Sequence, residues 1–204
     1  MGLNREIARD LLDIKAVQIK TNHYFTWTSG IKSPIYCDNR LTMSYPEIRK
    51  KIAEAFVDLV EKLDKKPDVI AGCATAGIPH AAWISEKLNL PMVYVRSKPK
   101  GHGKGNQIEG QLDKGQHVIL IEDLISTGGS SIEAAKALQQ AGANVLGVFA
   151  IFTYGLTKSR EQFSEARLAY QTITDYDEIL NLLIEDESIN DAEYQELQAW
   201  RNSL

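Results

Sequence analysis

The chain has 204 residues, 44% of them hydrophobic and 25% charged, which is enough for a core of ordinary size, and it holds no internal repeat or low-complexity linker. A formal net charge of -4 gives no electrostatic footprint for nucleic acid, and no apolar run approaches the roughly 20 residues that span a bilayer. Two cysteines, Cys37 and Cys73, in a chain without a signal-like apolar N-terminus, read as reduced cytoplasmic thiols.

Within residues 3–20, Leu3, Ile7, Leu11, Ile14 and Val17 recur at helical spacing, which predicts one amphipathic helix. Residues 21–41 cluster Tyr24, Phe25, Trp27 and Tyr36 around Thr28-Ser29-Gly30 and Lys32-Ser33-Pro34. Aromatic and β-branched residues on both sides of a Ser-Gly turn predict two short strands. Such a hairpin is more often a local aromatic core than a lid over a ligand. Tyr45-Pro46 opens a helix to about Leu63, with Ile48, Ile52, Ala55, Phe56, Leu59 and Val60 as its apolar stripe, and Lys65-Lys66-Pro67 is a surface turn.

Residues 68–77 lead from an apolar strand into Gly72, Cys73, Ala74, Thr75, Ala76 and Gly77, and then into a helix. Small residues at such a junction permit either close backbone approach to a ligand or tight strand–helix packing. A Cys73 nucleophile would need an oriented base, and nothing in the sequence orients the nearby His80. Leu90 to Val95 is a third short apolar strand. It runs into Arg96 to Gly110, which holds Arg96, Lys98, Lys100, His102, Lys104 and four glycines with almost no apolar side chains. That segment cannot bury itself and is expected to form a mobile loop. In an acidic chain, such a concentration of basic groups points to capture of a polyanion. Its Gly-His-Gly-Lys-Gly run lacks the spacing of a dinucleotide fingerprint.

The most informative stretch is His117 to Ser130. Val118 to Ile121 read as a buried parallel strand, followed by the acids Glu122 and Asp123. Leu124 and Ile125 then lead into Ser126-Thr127-Gly128-Gly129-Ser130 and a helix to about Ala141 that stops at Gly142. A strand, a Gly/Ser/Thr loop and a helix N-terminus together cradle an anion, because loop N–H groups and the helix dipole converge on one point. A tight βα connection alone would need one glycine and a capping serine, not five such residues in a row. Asn144 to Phe152 is a further buried strand with Tyr154 at its end, residues 167–173 an edge strand, and the acidic tail from Thr174 helical. Strands at 68–73, 91–95, 117–122 and 145–152 alternating with helices predict an α/β fold with a mainly parallel central sheet flanked by helices. In such folds ligands sit beyond the carboxyl ends of the strands, where all these loops fall.

The 117–130 segment resembles the phosphoribosyl pyrophosphate (PRPP) signature of type I phosphoribosyltransferases. No G-x-x-x-x-G-K-[ST] motif is present to support a P-loop NTPase instead. The F-x-x-x-S-G-x-x-S-P-x-Y pattern from Phe25 to Tyr36, with Asp38 after it, and Arg96, Lys100, His102 and Gly103 in the basic loop resemble the orotate phosphoribosyltransferases in particular. This resemblance covers roughly residues 20–156. It implies a single phosphoribosyltransferase domain over 1–204, with residues 1–42 contributing a small N-terminal hood and 96–110 a mobile catalytic loop.

The resemblance further implies transfer of the phosphoribosyl group from PRPP to orotate, with Mg²⁺ as cofactor. Lys100, Arg96, His102 and Asp123 are then the candidate catalytic residues. PRPP would be held by Arg96, Lys98, Lys100, His102, by Glu122 to Ser130 (Glu122, Asp123, Leu124, Ile125, Ser126, Thr127, Gly128, Gly129 and Ser130), and by Ala74, Thr75, Ala76 and Gly77. Orotate would meet Ser126, Tyr36 and Cys37. Mg²⁺ would be carried mainly by PRPP, with Asp123 nearby and no direct protein ligand. Three positions depart from the family pattern: Thr28 and the Ala74–Gly77 loop lack lysines that some members carry, and Ser97 replaces a lysine that Lys98 could substitute. A homodimer sharing the 96–110 loop between subunits is expected. A purine phosphoribosyltransferase and a PRPP-binding regulator without catalysis are the competing readings. The Ser29–Asp38 segment argues against the first and the basic loop against the second.

Overall fold

The computed structural model describes residues 2–27, 30, 32–98 and 107–204. Four short strands, β1 (Val17–Ile19), β2 (Phe25–Thr26), β3 (Lys32–Ser33) and β4 (Ile35–Cys37), pair antiparallel as β1–β4 and β2–β3. The first helix, α1 (Leu3–Asp13), is shorter than its apolar spacing predicts. Lys15 adopts a left-handed φ of 58°, and Val17–Ile19 leave the helix to pair with Ile35–Cys37. Val17 and Ile19 flank a polar residue, so the same apolar spacing serves a half-buried strand, and pairing with β4 decides between the two.

A 3₁₀ turn over Asn39–Ser44 leads into α2 (Pro46–Glu61), which opens on a proline at its first position, where the missing N–H costs nothing. The main sheet follows: β5 (Val69–Cys73), β6 (Met92–Val95), β7 (Ile108–Glu109), β8 (His117–Ile125), β9 (Asn144–Thr153) and β10 (Tyr170–Asp175). Its spatial order is β10-β9-β8-β5-β6-β7, parallel throughout except for β7. Between the strands run α3 (Gly77–Leu88), α4 (Gly129–Gln140) and α5 (Thr157–Glu165), and α6 (Tyr176–Glu185) and α7 (Asp191–Asn202) close the chain. Among the described residues no helix is long and apolar enough to cross a membrane. The end of α4 is set by Gly142 at φ 96°, where the Ala143 and Gly142 N–H groups return to the carbonyls of Leu138 and Gln139.

Strand alternation divides the core in two. Ile70, Ile119 and Ile121 point to the face covered by α1, α2, α3 and α6, whereas Ala71, Val118 and Leu120 point to the face covered by α4. From β5 the chain steps through α3 to β6 on one side, and from β8 through α4 to β9 on the other. The switch point therefore lies between β5 and β8. Their pairing ends at Gly72 and Ile121, while β8 continues beside β9 to Ile125. The predicted strand end at 122 is thus too early: Glu122, Asp123, Leu124 and Ile125 all belong to β8, along the edge that opens once β5 has ended.

Candidate active site

Two loops face the opening at the switch point. Ala74-Thr75-Ala76 joins β5 to α3, with a cis peptide between Ala74 and Thr75 and the Ala74 N–H bonded to the Val95 carbonyl at 2.9 Å. The close approach of α3 to β8 depends on Gly77: a Cβ there would collide with the Ile121 carbonyl oxygen and lie 3.3 Å from the Glu122 Cα. Of the two readings of these small residues, tight packing accounts for Gly72 and Gly77, and Thr75 and Ala76 remain on the wall of an open cleft.

Ser126-Thr127-Gly128 joins β8 to α4. Gly128 has φ 89°, a left-handed conformation, and a Cβ there would lie 2.7 Å from the Phe163 ring. No side chain caps the N-terminus of α4, and Gly129 and Ser130 are exposed. The first-turn N–H groups and the positive end of the helix dipole are therefore available to an anion.

The adjacent acids leave the strand on opposite faces, as consecutive strand residues do, with their carboxyls still within hydrogen-bonding reach of each other. Glu122 is 6% exposed and turns toward α4. It accepts from the Ser131 hydroxyl at 3.3 Å and from the Asp123 N–H at 3.0 Å, and the Cys73 thiol lies against it. Burial, with Asp123 beside it, pushes its carboxyl well above the ordinary carboxylate range. Asp123 turns the other way, into a cleft of about 520 Å³ lined also by Cys37, Asp38, Arg40, Met43, Thr75, Ala76 and Pro79. Burial raises its carboxyl too. Only Asp123 of the pair lines this cleft.

A second cleft of about 330 Å³ adjoins the first, with Cys37 in both walls, and is lined by Thr26, Trp27, Tyr36, Leu124, Ser126 and Tyr154. Trp27 stacks on Tyr154 with centroids 4.9 Å apart, and its indole N–H donates to the Ile35 carbonyl at 3.0 Å. The aromatic hairpin thus forms a wall of the cleft as well as a local core. Burial, reinforced by Asp123 and Asp38, raises the Cys37 thiol well above its usual range, so it stands there as a neutral group. Three of the seven residues that line the slot are aromatic and Ser126 adds a hydroxyl, a lining that suits a planar heterocycle.

The basic segment is anchored at both ends. The Arg96 N–H donates to the Gln107 carbonyl and the Gln107 side chain returns a bond to the Arg96 carbonyl, each at 2.8 Å. Arg96 also pairs with Glu109 at 3.3 Å. Ile108 and Glu109 form β7 rather than loop, because Val95 and Tyr94 of the edge strand offer them a partner. Lys98 is exposed, while Lys100, His102 and Gly103 lie outside the described residues, as do Thr28 and Ser29.

Sequence reasoning missed Asn39, Arg40, Met43 and Pro79. Asn39 is fully buried and donates to the Asp123 carbonyl at 2.7 Å. Arg40 grips Asp38 with Nε at 2.6 Å and Nη2 at 2.8 Å, which holds the Asp38 carboxyl below the ordinary carboxylate range. The Asp-x-Arg spacing was a readable signal for that pair. Arg160 donates to the Gly155 carbonyl at 2.9 Å.

Residues 44–181 match the phosphoribosyl transferase domain. The chain is 64% identical over 202 residues to the orotate phosphoribosyltransferase of Oceanobacillus iheyensis, covering 99% of this chain and 100% of that one. It is 59% identical over 204 residues to the orotate phosphoribosyltransferase of Fusobacterium nucleatum subsp. nucleatum, covering 99% and 97%. Among solved structures, the orotate phosphoribosyltransferase from Aeropyrum pernix superposes with a TM-score of 0.75 at 27% identity, over 87% of this chain and 97% of that one. The similarity to these relatives runs along the whole chain, which belongs to the orotate phosphoribosyltransferase family.

Proposed function

We propose that the protein transfers the phosphoribosyl group of PRPP to orotate, forming orotidine 5′-monophosphate and pyrophosphate on the route to UMP. The observation that carries this reading is the junction of the two clefts. The two clefts share Cys37: one is lined by the Asp123 carboxylate, and the other by Trp27, Tyr36, Tyr154 and Ser126, the residue that opens the short loop into the uncapped N-terminus of α4.

In this reading the 5′-phosphate rests on Ser126 to Ser130 and the N-terminus of α4. Asp123 meets the ribose hydroxyls, and Glu122 supports it through the Asp123 N–H that it accepts. Orotate lies in the slot against Tyr36, Cys37 and Ser126. The reaction breaks the bond between the anomeric carbon and the pyrophosphate oxygen and forms a bond from that carbon to orotate nitrogen. Positive charge develops on the ribose and negative charge on the departing pyrophosphate. Asp123 favours the first, and Arg96, Lys98, Lys100 and His102 stabilise the second, with His102 able to give a proton to the leaving group. The Ala74–Gly77 loop, which has no lysine, offers pyrophosphate its backbone. Closure of the 96–110 loop excludes water, whose attack would waste PRPP.

Mg²⁺ fits this set of donors as a cation that arrives with its substrate. The cleft offers it the hard oxygens of Asp123, while the Asp38 oxygens are engaged by Arg40. Bound with PRPP, Mg²⁺ would neutralise pyrophosphate charge as it develops. The working unit is a single-domain chain in a cytoplasmic homodimer, each 96–110 loop serving its neighbour. Chromatography of a mixture of protein, PRPP, orotate and Mg²⁺ tests the proposal: orotidine 5′-monophosphate and pyrophosphate should appear in equal amounts, and their absence would refute it.

A further inference from the structure

We infer that Arg40 is a further substrate-binding residue, which contacts the pyrophosphate group of PRPP from the hood side of the larger cleft. The inference deepens the reading above and rests on it. The cleft has Thr75 and Ala76 in one wall, Cys37, Asp38, Arg40 and Met43 in the other, and Asp123 between them. Its β5–α3 loop contributes no charge: Ala74, Thr75, Ala76 and Gly77 supply only backbone and one hydroxyl. Pyrophosphate carries several negative charges, and Asp38 and Asp123 would repel it. Among the described residues that line the cleft, Arg40 is the one cationic side chain.

The geometry of Arg40 suits this task. Its Nε and Nη2 are held by the two Asp38 oxygens, and its backbone N–H is held by Asp38 Oδ1 at 3.2 Å. This side-on grip fixes the plane of the guanidinium and leaves the N–H groups of Nη1 outside the pair, so the fork is pre-oriented before an oxyanion arrives. The side chain stays 63% exposed and within electrostatic reach of Asp123 and Tyr36. The fold has little need of it there. Asp38 caps the 3₁₀ turn through the Arg40 backbone N–H, which any residue would supply, and an ion pair this exposed adds little stability.

The test is initial-rate kinetics of Arg40→Ala and Arg40→Lys in both directions. Arg40→Ala should raise KM for PRPP, and KM for pyrophosphate in the reverse reaction, by about tenfold or more in parallel, with KM for orotate within about twofold of wild type. Its melting temperature should not move, and Arg40→Lys should recover part of the loss. Unchanged KM for PRPP and pyrophosphate would overturn the inference. So would an equal rise in KM for orotate with a lowered melting temperature, which would mark a purely structural role. Calorimetric titration of Mg²⁺–pyrophosphate into wild type and Arg40→Ala separates this inference from the parent reading. If wild type fails to turn over orotate, the parent reading falls, and equal pyrophosphate affinity of the two proteins would overturn the Arg40 assignment on its own.

Discussion

Asn39 donates its side-chain amide to the backbone carbonyl of Asp123 at 2.7 Å, across 84 residues of sequence. The bond ties the 3₁₀ turn that follows the hood to the strand that carries the acids. Asn39 is fully buried, so truncating it removes this hydrogen bond and leaves a gap in the packing between the turn and the strand. Asn39→Ala should cost about 1–3 kcal/mol in denaturant unfolding and raise KM for PRPP. Asp123→Asn, which keeps the shape and removes the charge, should weaken the use of PRPP and Mg²⁺ together. Normal PRPP kinetics in both variants would contradict the placing of Asp123 at the ribose.

Gly77 sits where α3 presses on the end of β8. A methyl group there meets the Ile121 carbonyl, backbone that cannot swing aside. Gly77→Ala should therefore destabilise by about 1–3 kcal/mol and lower kcat/KM for PRPP by displacing the Ala74–Ala76 loop. Thermal unfolding and initial rates check this, and a variant as stable and active as wild type would show that the approach is looser than described.

His80 lies buried on α3 between Phe56 and Trp83, and its Nδ1 has no partner among the described residues. Burial lowers its pKa from 6.5 to about 4. Between those pH values the unfolded chain binds the extra proton, so stability rises with pH across that window and is lost as pH falls through it. At about 1.4 kcal/mol per unit, the full loss is of order 3 kcal/mol. Melting temperature measured from pH 7 to pH 4 should fall more steeply for wild type than for His80→Phe, and identical slopes would exclude His80 as the cause.

The β8–loop–α4 unit was legible because its signals are local: apolar run, turn residues, then helical period. The end of α1 was not, since Ile14 and Val17 satisfy a helix and Val17 and Ile19 a strand, and the pairing with β4 that decides is remote. A strand that ends at 122 does not reveal that Glu122 and Asp123 leave β8 on opposite faces; that follows from alternation only once β8 runs to Ile125. Asn39 and Arg40 gain their meaning only when the fold lays their turn against β8, which no sequence period records.

Lys100 lies outside the described residues, and its role rests on the resemblance of its loop to that of the family. Lys100→Ala should lower kcat by about two orders of magnitude or more with an unchanged melting temperature. Near-normal turnover would remove the 96–110 loop from the chemistry.

The most direct test of the whole account is the choice of acceptor. Purified protein with PRPP and Mg²⁺ should consume orotate, followed by its loss of ultraviolet absorbance, and leave uracil and hypoxanthine untouched in parallel reactions. Turnover of hypoxanthine alone would keep the phosphate cradle but contradict the orotate slot. PRPP binding without turnover of any base would make the protein a sensor rather than an enzyme.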